Sequence, residues 1–116
     1  MRGFVVVAVL MLATGVNAQT WPTKPLRIVT PFPAGGGTDI VARTVAHALT
    51  EQLGQNALVD NRAGAGGIIG TELAAKSPPD GYTLLMGSNG PLAILPNLRS
   101  KLPYNVARDF TPVGLV

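Results

Sequence analysis

The stretch Pro31 to Asp39, reading P-F-P-A-G-G-G-T-D, constrains this chain more than any other. An apolar run with strand character, Leu26 to Thr30, precedes it, and a helical pattern from Ile40 to Leu53 follows. Three consecutive glycines between a strand and a helix permit two readings. One is a tight turn in which glycine relieves backbone strain. The other is a cradle of bare N–H groups at a helix N-terminus, where the partial positive charge of the helix dipole favours an anion.

The segments around this loop repeat its plan. Trp21-Pro22-Thr23-Lys24-Pro25 is an extended lead-in, because two prolines disfavour helix for themselves and their predecessors. Trp21 is expected to cover an edge of the core, and the first strand runs from Leu26 to Phe32. Thr38 or Asp39 is the natural N-cap of the first helix. Val41, Val45, Ala48, Leu49 and Leu53 recur at helical spacing as its buried face. Arg43, His47 and Glu51 fall four apart on a polar stripe, where His47 reads as a solvated surface histidine. Gly54 ends the helix.

Ala57 to Asp60 is a short second strand, followed by a second glycine-rich loop, Asn61 to Gly67. A helical pattern resumes with Ile68, Ile69, Leu73 and Ala74 and stops before Pro78-Pro79. Asp80-Gly81 is a turn signal. Tyr82 to Met86 reads as a third strand and Gly87 to Gly90 as a third small-residue loop. Pro91 to Leu98 predicts a short helix with Pro91 in its first turn. Lys101 to Asp109 reads as irregular, and Thr111 to Val116 as the start of a fourth strand.

Strand, helix, strand, helix, strand is the pattern of a parallel α/β sheet with right-handed crossovers. Every strand-to-helix loop in such a sheet emerges at its carboxyl edge, where open α/β folds bind ligands. Pro31–Asp39, Asn61–Gly67 and Gly87–Gly90 are therefore expected to converge. Turn strain explains one glycine loop; three at one edge point to a ligand site.

Composition narrows the chemistry. With 47% hydrophobic and 13% charged residues, a chain of 116 residues reads as one folded domain. The absence of cysteine removes disulfides, thiol catalysis and zinc–thiolate sites. Basic residues are scattered, without the concentrated patch of a nucleic-acid binder. Gly64 to Gly70 reads G-x-G-G-x-x-G, one residue away from the dinucleotide fingerprint, and no phosphate-binding P-loop motif occurs. One histidine, no paired carboxylates and no His/Asp/Glu cluster leave little for catalysis or a metal. Ser88 lacks a nearby base and suits a hydrogen-bond donor. What remains is a cradle of N–H and hydroxyl donors fit for a carboxylate, with Arg62 the one cation in the loops. A phosphate- or nucleotide-using α/β enzyme stays as the runner-up.

The first eighteen residues read as a secretory signal. Arg2 supplies the positive start, Phe4 to Ala13 an apolar run of ten, and Val16-Asn17-Ala18 a cleavage site. A bilayer span needs about twenty apolar residues.

Four blocks of this sequence, taken together, resemble the substrate-binding receptors of tripartite tricarboxylate transporters, the Bug-type periplasmic family. They are W-P-x-K-P-L-R-I-V-x-P-F-x-A-G-G-x-x-D-x-x-A-R at Trp21–Arg43, V-D-N-R-x-G-A-G-G-x-x-G at Val59–Gly70, P-D-G-Y-T-L-L-x-G at Pro79–Gly87 and L-P-Y-x-x-x-x-D-F-x-P-V at Leu102–Val113. The resemblance implies a two-lobed Venus-flytrap fold of the periplasmic-binding-protein kind. Residues 1–18 would be its signal peptide and 19–116 the N-terminal part of lobe one, an incomplete parallel-sheet lobe. It implies a monomeric, non-enzymatic periplasmic receptor, without cofactor, metal or nucleic acid, that hands a small carboxylate to a membrane permease. Carried to this chain, the contacts it implies are Phe32, Ala34, Gly35, Gly36, Thr38 and Asp39, then Gly66 and Gly67, with Ser88 and Asn89 from the third loop. Asp39 is expected to act as helix cap and loop organiser. Receptors of this family are far longer, so a truncated, non-functional receptor is a further reading.

Overall fold

The computed structural model describes Ala18 and residues 20–116. The expected signal peptide lies, apart from Ala18, outside the described residues. The elements are β1 (Leu26–Thr30), α1 (Gly37–Leu53), β2 (Ala57–Asn61), a 3-10 turn (Ala65–Gly67), α2 (Ile68–Ala75) and β3 (Thr83–Leu85). A π turn (Gly90–Ile94) then runs into α3 (Leu95–Leu98), and α4 (Val106–Asp109) follows. The three strands form one parallel sheet in the order β2-β1-β3.

The central position of β1 explains its composition. Leu26, Ile28, Val29 and Thr30 are at most 1% exposed, because a strand with neighbours on both edges and helices above it has little surface left for water. Ile28 lies opposite Val59 on one side and Leu84 on the other. The core forms where Ala42 and Ala46 of α1 meet Ile28, with Val45, Leu49, Ala57, Val59, Leu84 and Met86 packed around them.

That face keeps Val45 and Leu49 of the expected one, with Leu53 half-buried, and differs at the rest. Val41 is 38% exposed and Ala48 is exposed, while Asp39, Ala42 and Ala46 point inward. Positions 39, 42 and 46 share one side of a helix. Two alanines there let the helix axis approach the sheet closely, and the bonding of the Asp39 carboxylate fixes the rotation.

The sheet reverses direction at β1. The chain steps from β1 to β2 on one side, then crosses to β3 on the other. That reversal is the switch point of an open α/β sheet, and it places the ends of all three strands around β1.

Four further expectations change. Neither Thr38 nor Asp39 caps α1; the N-cap is Gly36, with an extended backbone and no side-chain cap bond. Lys101–Asp109 is not wholly irregular, since Asn105 accepts a bond from the Arg108 N–H and starts the single turn of α4. Thr111–Val116 pairs with no described strand, and its Val113, Leu115 and Val116 side chains are 84–103% exposed. A strand needs a neighbour for its ladder, and the described sheet is made of β2, β1 and β3 alone. Trp21, 51% exposed, stacks obliquely on Tyr82 at 6.0 Å instead of sealing the core. As expected, Gly54 closes α1 in the left-handed conformation, its N–H donating to the Thr50 carbonyl.

Candidate functional site

The first loop presents an uncapped helix end. The leading N–H groups of any helix have no partner within the helix, and at α1 no side chain supplies one. Phe32 and Thr38 are half-buried here, while Ala34, Gly35, Gly36 and Gly37 are exposed. The open donors therefore face solvent at the carboxyl edge of the central strand.

Asp39 is 3% exposed. Its Oδ2 accepts from the Gly35 N–H and from Arg43 Nε, each at 2.9 Å, and its Oδ1 accepts from the Asn61 amide at 2.9 Å. The Arg43 guanidinium, then the Gly35 N–H and the Asn61 amide, hold the Asp39 carboxyl down at about 2. The charge is thus satisfied by the protein itself, and it organises the loop without opposing an anion at the helix end.

The second loop turns in left-handed geometry. Gly64, Ala65, Gly66 and Gly67 all have positive φ, at 139°, 50°, 67° and 96°. Gly67 is buried, and its N–H donates to the Gly64 carbonyl at 3.0 Å. A Cβ at Gly67 would stand 2.9 Å from the Pro91 ring and 3.3 Å from the Phe32 ring. One glycine thus marks the point where all three loops pack. Gly66 is exposed, with open space beside its Cα.

In the third loop Ser88 is half-buried and Asn89 exposed, and the Asn89 side chain makes no cap bond. Tyr104 holds this loop from behind: its buried hydroxyl donates to the Pro91 carbonyl at 2.6 Å, and burial pushes its pKa up. The three loops expected to converge do so. Two shallow concavities lie elsewhere, one lined by Pro96 to Arg108 and one between α1 and β2. The three-loop edge is an open rim.

Residues 41–116 match the family described as "Tripartite tricarboxylate transporter family receptor". The chain belongs to this receptor family. It is 48% identical over 111 residues to Protein BugT of Bordetella pertussis, covering 95% of this chain and 34% of BugT. A protein of Pseudomonas sp. strain P51 is 43% identical over 112 residues, 94% of this chain and 33% of its own length. Among solved structures, a periplasmic transporter matches with a TM-score of 0.78 and 44% identity, over 81% of this chain and 32% of that one. MatC from Rhodopseudomonas palustris with bound malate matches at 0.76 and 39%, over 80% and 32%. An R. palustris protein with adipate matches at 0.75 and 43%, over 80% and 31%. The chain spans about a third of the length of the curated relatives it matches, so its sheet is an incomplete periplasmic-binding-protein lobe.

Within this receptor-family chain, sequence reading passed over three residues that build the site. Asn61 and Thr30 end the paired strands, and Arg43 neutralises Asp39. Asn61 reads as a loop residue until β2 is extended by one position, which brings it level with Thr30. Arg62, the one loop cation, is already paired: its Nε donates to Asp60 at 2.8 Å, and Arg27 donates to the same carboxylate from β1. Burial opposes the Asp60 charge, but the two guanidinium groups outweigh it and hold its carboxyl below the usual range.

Proposed function

We propose that this chain forms the N-terminal part of lobe one of an extracytoplasmic solute receptor. It captures a small organic carboxylate at the three-loop rim and serves a membrane permease of the tripartite tricarboxylate type. The receptor acts as a monomer in the periplasm after loss of residues 1–18, and Phe32, Ala34, Gly35, Gly36, Thr38, Gly66, Gly67, Ser88 and Asn89 form the contact set, with Asp39 beneath it. One observation carries the reading: an uncapped, exposed α1 N-terminus whose only adjacent acidic side chain is buried and already paired. Such an end suits a carboxylate, which accepts backbone N–H bonds and gains from the dipole. The malate bound to one solved relative and the adipate with another support a small dicarboxylate as the ligand.

Calorimetry of the intact protein against di- and tricarboxylates, amino acids and nucleotides tests this. Saturable heat with one carboxylate is expected. Heat with none, or tight binding of a nucleotide, contradicts the reading and favours the α/β enzyme. Gly36→Val sharpens the test. A Cβ at Gly36 would meet only the Pro33 carbonyl, at 3.6 Å, and its φ of −79° is ordinary. The variant should therefore fold and lose carboxylate binding, and retained affinity removes Gly36 from the site.

A further inference from the structure

Asn61 is the last residue of β2 and stands level with Thr30, the last of β1. Its amide nitrogen reaches Thr30 Oγ1 at 2.6 Å, Asp39 Oδ1 at 2.9 Å and the Phe32 carbonyl at 3.3 Å. Its amide oxygen lies 3.5 Å from Arg43 Nη2. One side chain therefore ties a strand end, the backbone of the first loop and the first turn of α1. The second glycine-rich loop begins at the next residue. Remove the amide, and Asp39 Oδ1 loses its donor while the Phe32 carbonyl keeps only the longer bond from the Thr30 hydroxyl, at 3.5 Å.

We propose that Asn61 is a positioning residue for the carboxylate site, clamping the first loop to the end of β2 so that the α1 N-terminus and the second loop are held in one fixed relation. The proposal rests on the carboxylate reading above. A role in packing alone would be met by any polar side chain of similar size. The clamp instead needs an N–H donor facing Asp39.

Asn61→Asp separates the two. The charged groups facing this position are Asp39 and Arg43 of α1; β1 contributes only the uncharged Thr30. The chain neighbours Asp60 and Arg62 pair with each other. At about pH 7.5 the new carboxylate repels Asp39; at about pH 4.5 the pair shares a proton and the donor to Asp39 returns. Asp39 itself, held at about 2, stays ionised in wild type at both values.

The intact protein is titrated calorimetrically with malate and with adipate. At about pH 7.5, Asn61→Asp and Asn61→Ala are each expected to bind about tenfold more weakly than wild type, the worth of one hydrogen bond to a charged group. At about pH 4.5 the Asp deficit relative to wild type should fall below about threefold while the Ala deficit persists. Hydrogen exchange of the Gly35 amide without ligand, normalised to β1 amides, should follow the same pattern. Wild-type affinity in Asn61→Asp at the higher pH, or an equal deficit at both, overturns the proposal. Should wild type bind neither probe, the carboxylate reading goes to the wider panel above, and the Gly35 exchange pattern by itself upholds or overturns the clamp.

Discussion

Asp39 and Gly70 carry the sharpest expectations at the residue scale. The folded Asp39 carboxyl, at about 2, lies below its ordinary 3.8. A depressed acid contributes stability that is present above the unfolded value and is lost as pH falls through the folded one. Asp60 and Asp109 are lowered in the same direction, so acid unfolding draws on all three. Urea melts between pH 3.8 and about 2 should therefore show stability falling less steeply in Asp39→Asn than in wild type; equal slopes would contradict the pairing described. At Gly70 a Cβ would lie 2.6 Å from the Arg62 carbonyl oxygen and 2.7 Å from Pro31 Cα, both backbone atoms. Gly70→Ala should cost about 1–3 kcal/mol by overpacking, against about 0.5 kcal/mol or less for Gly36→Ala at its open position. Matching costs in denaturant melts would show that the close approach of α2 to β1 is absent. The sequence pointed to the exposed glycines, because glycine runs are visible as composition. It did not reveal Gly70 as a contact, since close approach depends on which strand the helix crosses.

Elements were legible in order and less so in their faces and ends. Parallel strands announce themselves as apolar runs, and glycine loops mark where each strand hands over to a helix. The inward face of α1 was legible at Val45 and Leu49 but not at its centre, because Val41 outranks alanine in hydrophobicity, whereas Ala42 and Ala46 are small enough to bring the helix onto Ile28. The cap was misread for a related reason: Asp39 spends its carboxylate on Gly35, Arg43 and Asn61 rather than on its own helix end. The other end of α1 has a fastening of its own. The Thr50 hydroxyl donates to the Ala46 carbonyl at 2.8 Å and accepts from the Ala57 N–H at 3.0 Å, joining α1 to the start of β2. Thr50→Val keeps the shape but strands that N–H, for an expected loss of about 1–3 kcal/mol. Thr50→Ser, which retains the hydroxyl, should lose less, and equal losses in thermal melts would remove the bond from the account.

Taken whole, the described chain is one sheet with the three-loop rim on one side. The strand order that reverses at β1 brings together loops far apart in sequence, and the meeting of Phe32, Gly67 and Pro91 holds them as one surface. The rim is open: Ala34, Gly35, Gly36, Gly66 and Asn89 are all exposed along it. The central claim is that a carboxylate sits on backbone donors at this rim, and backbone amide NMR shifts during a malate or adipate titration of the intact protein test it most directly. The amides of Gly36, Gly37, Thr38 and Gly66 should move first and saturate together, with those of α4 still. Shifts centred instead on Pro96 to Arg108, with the loop amides unmoved, would contradict it.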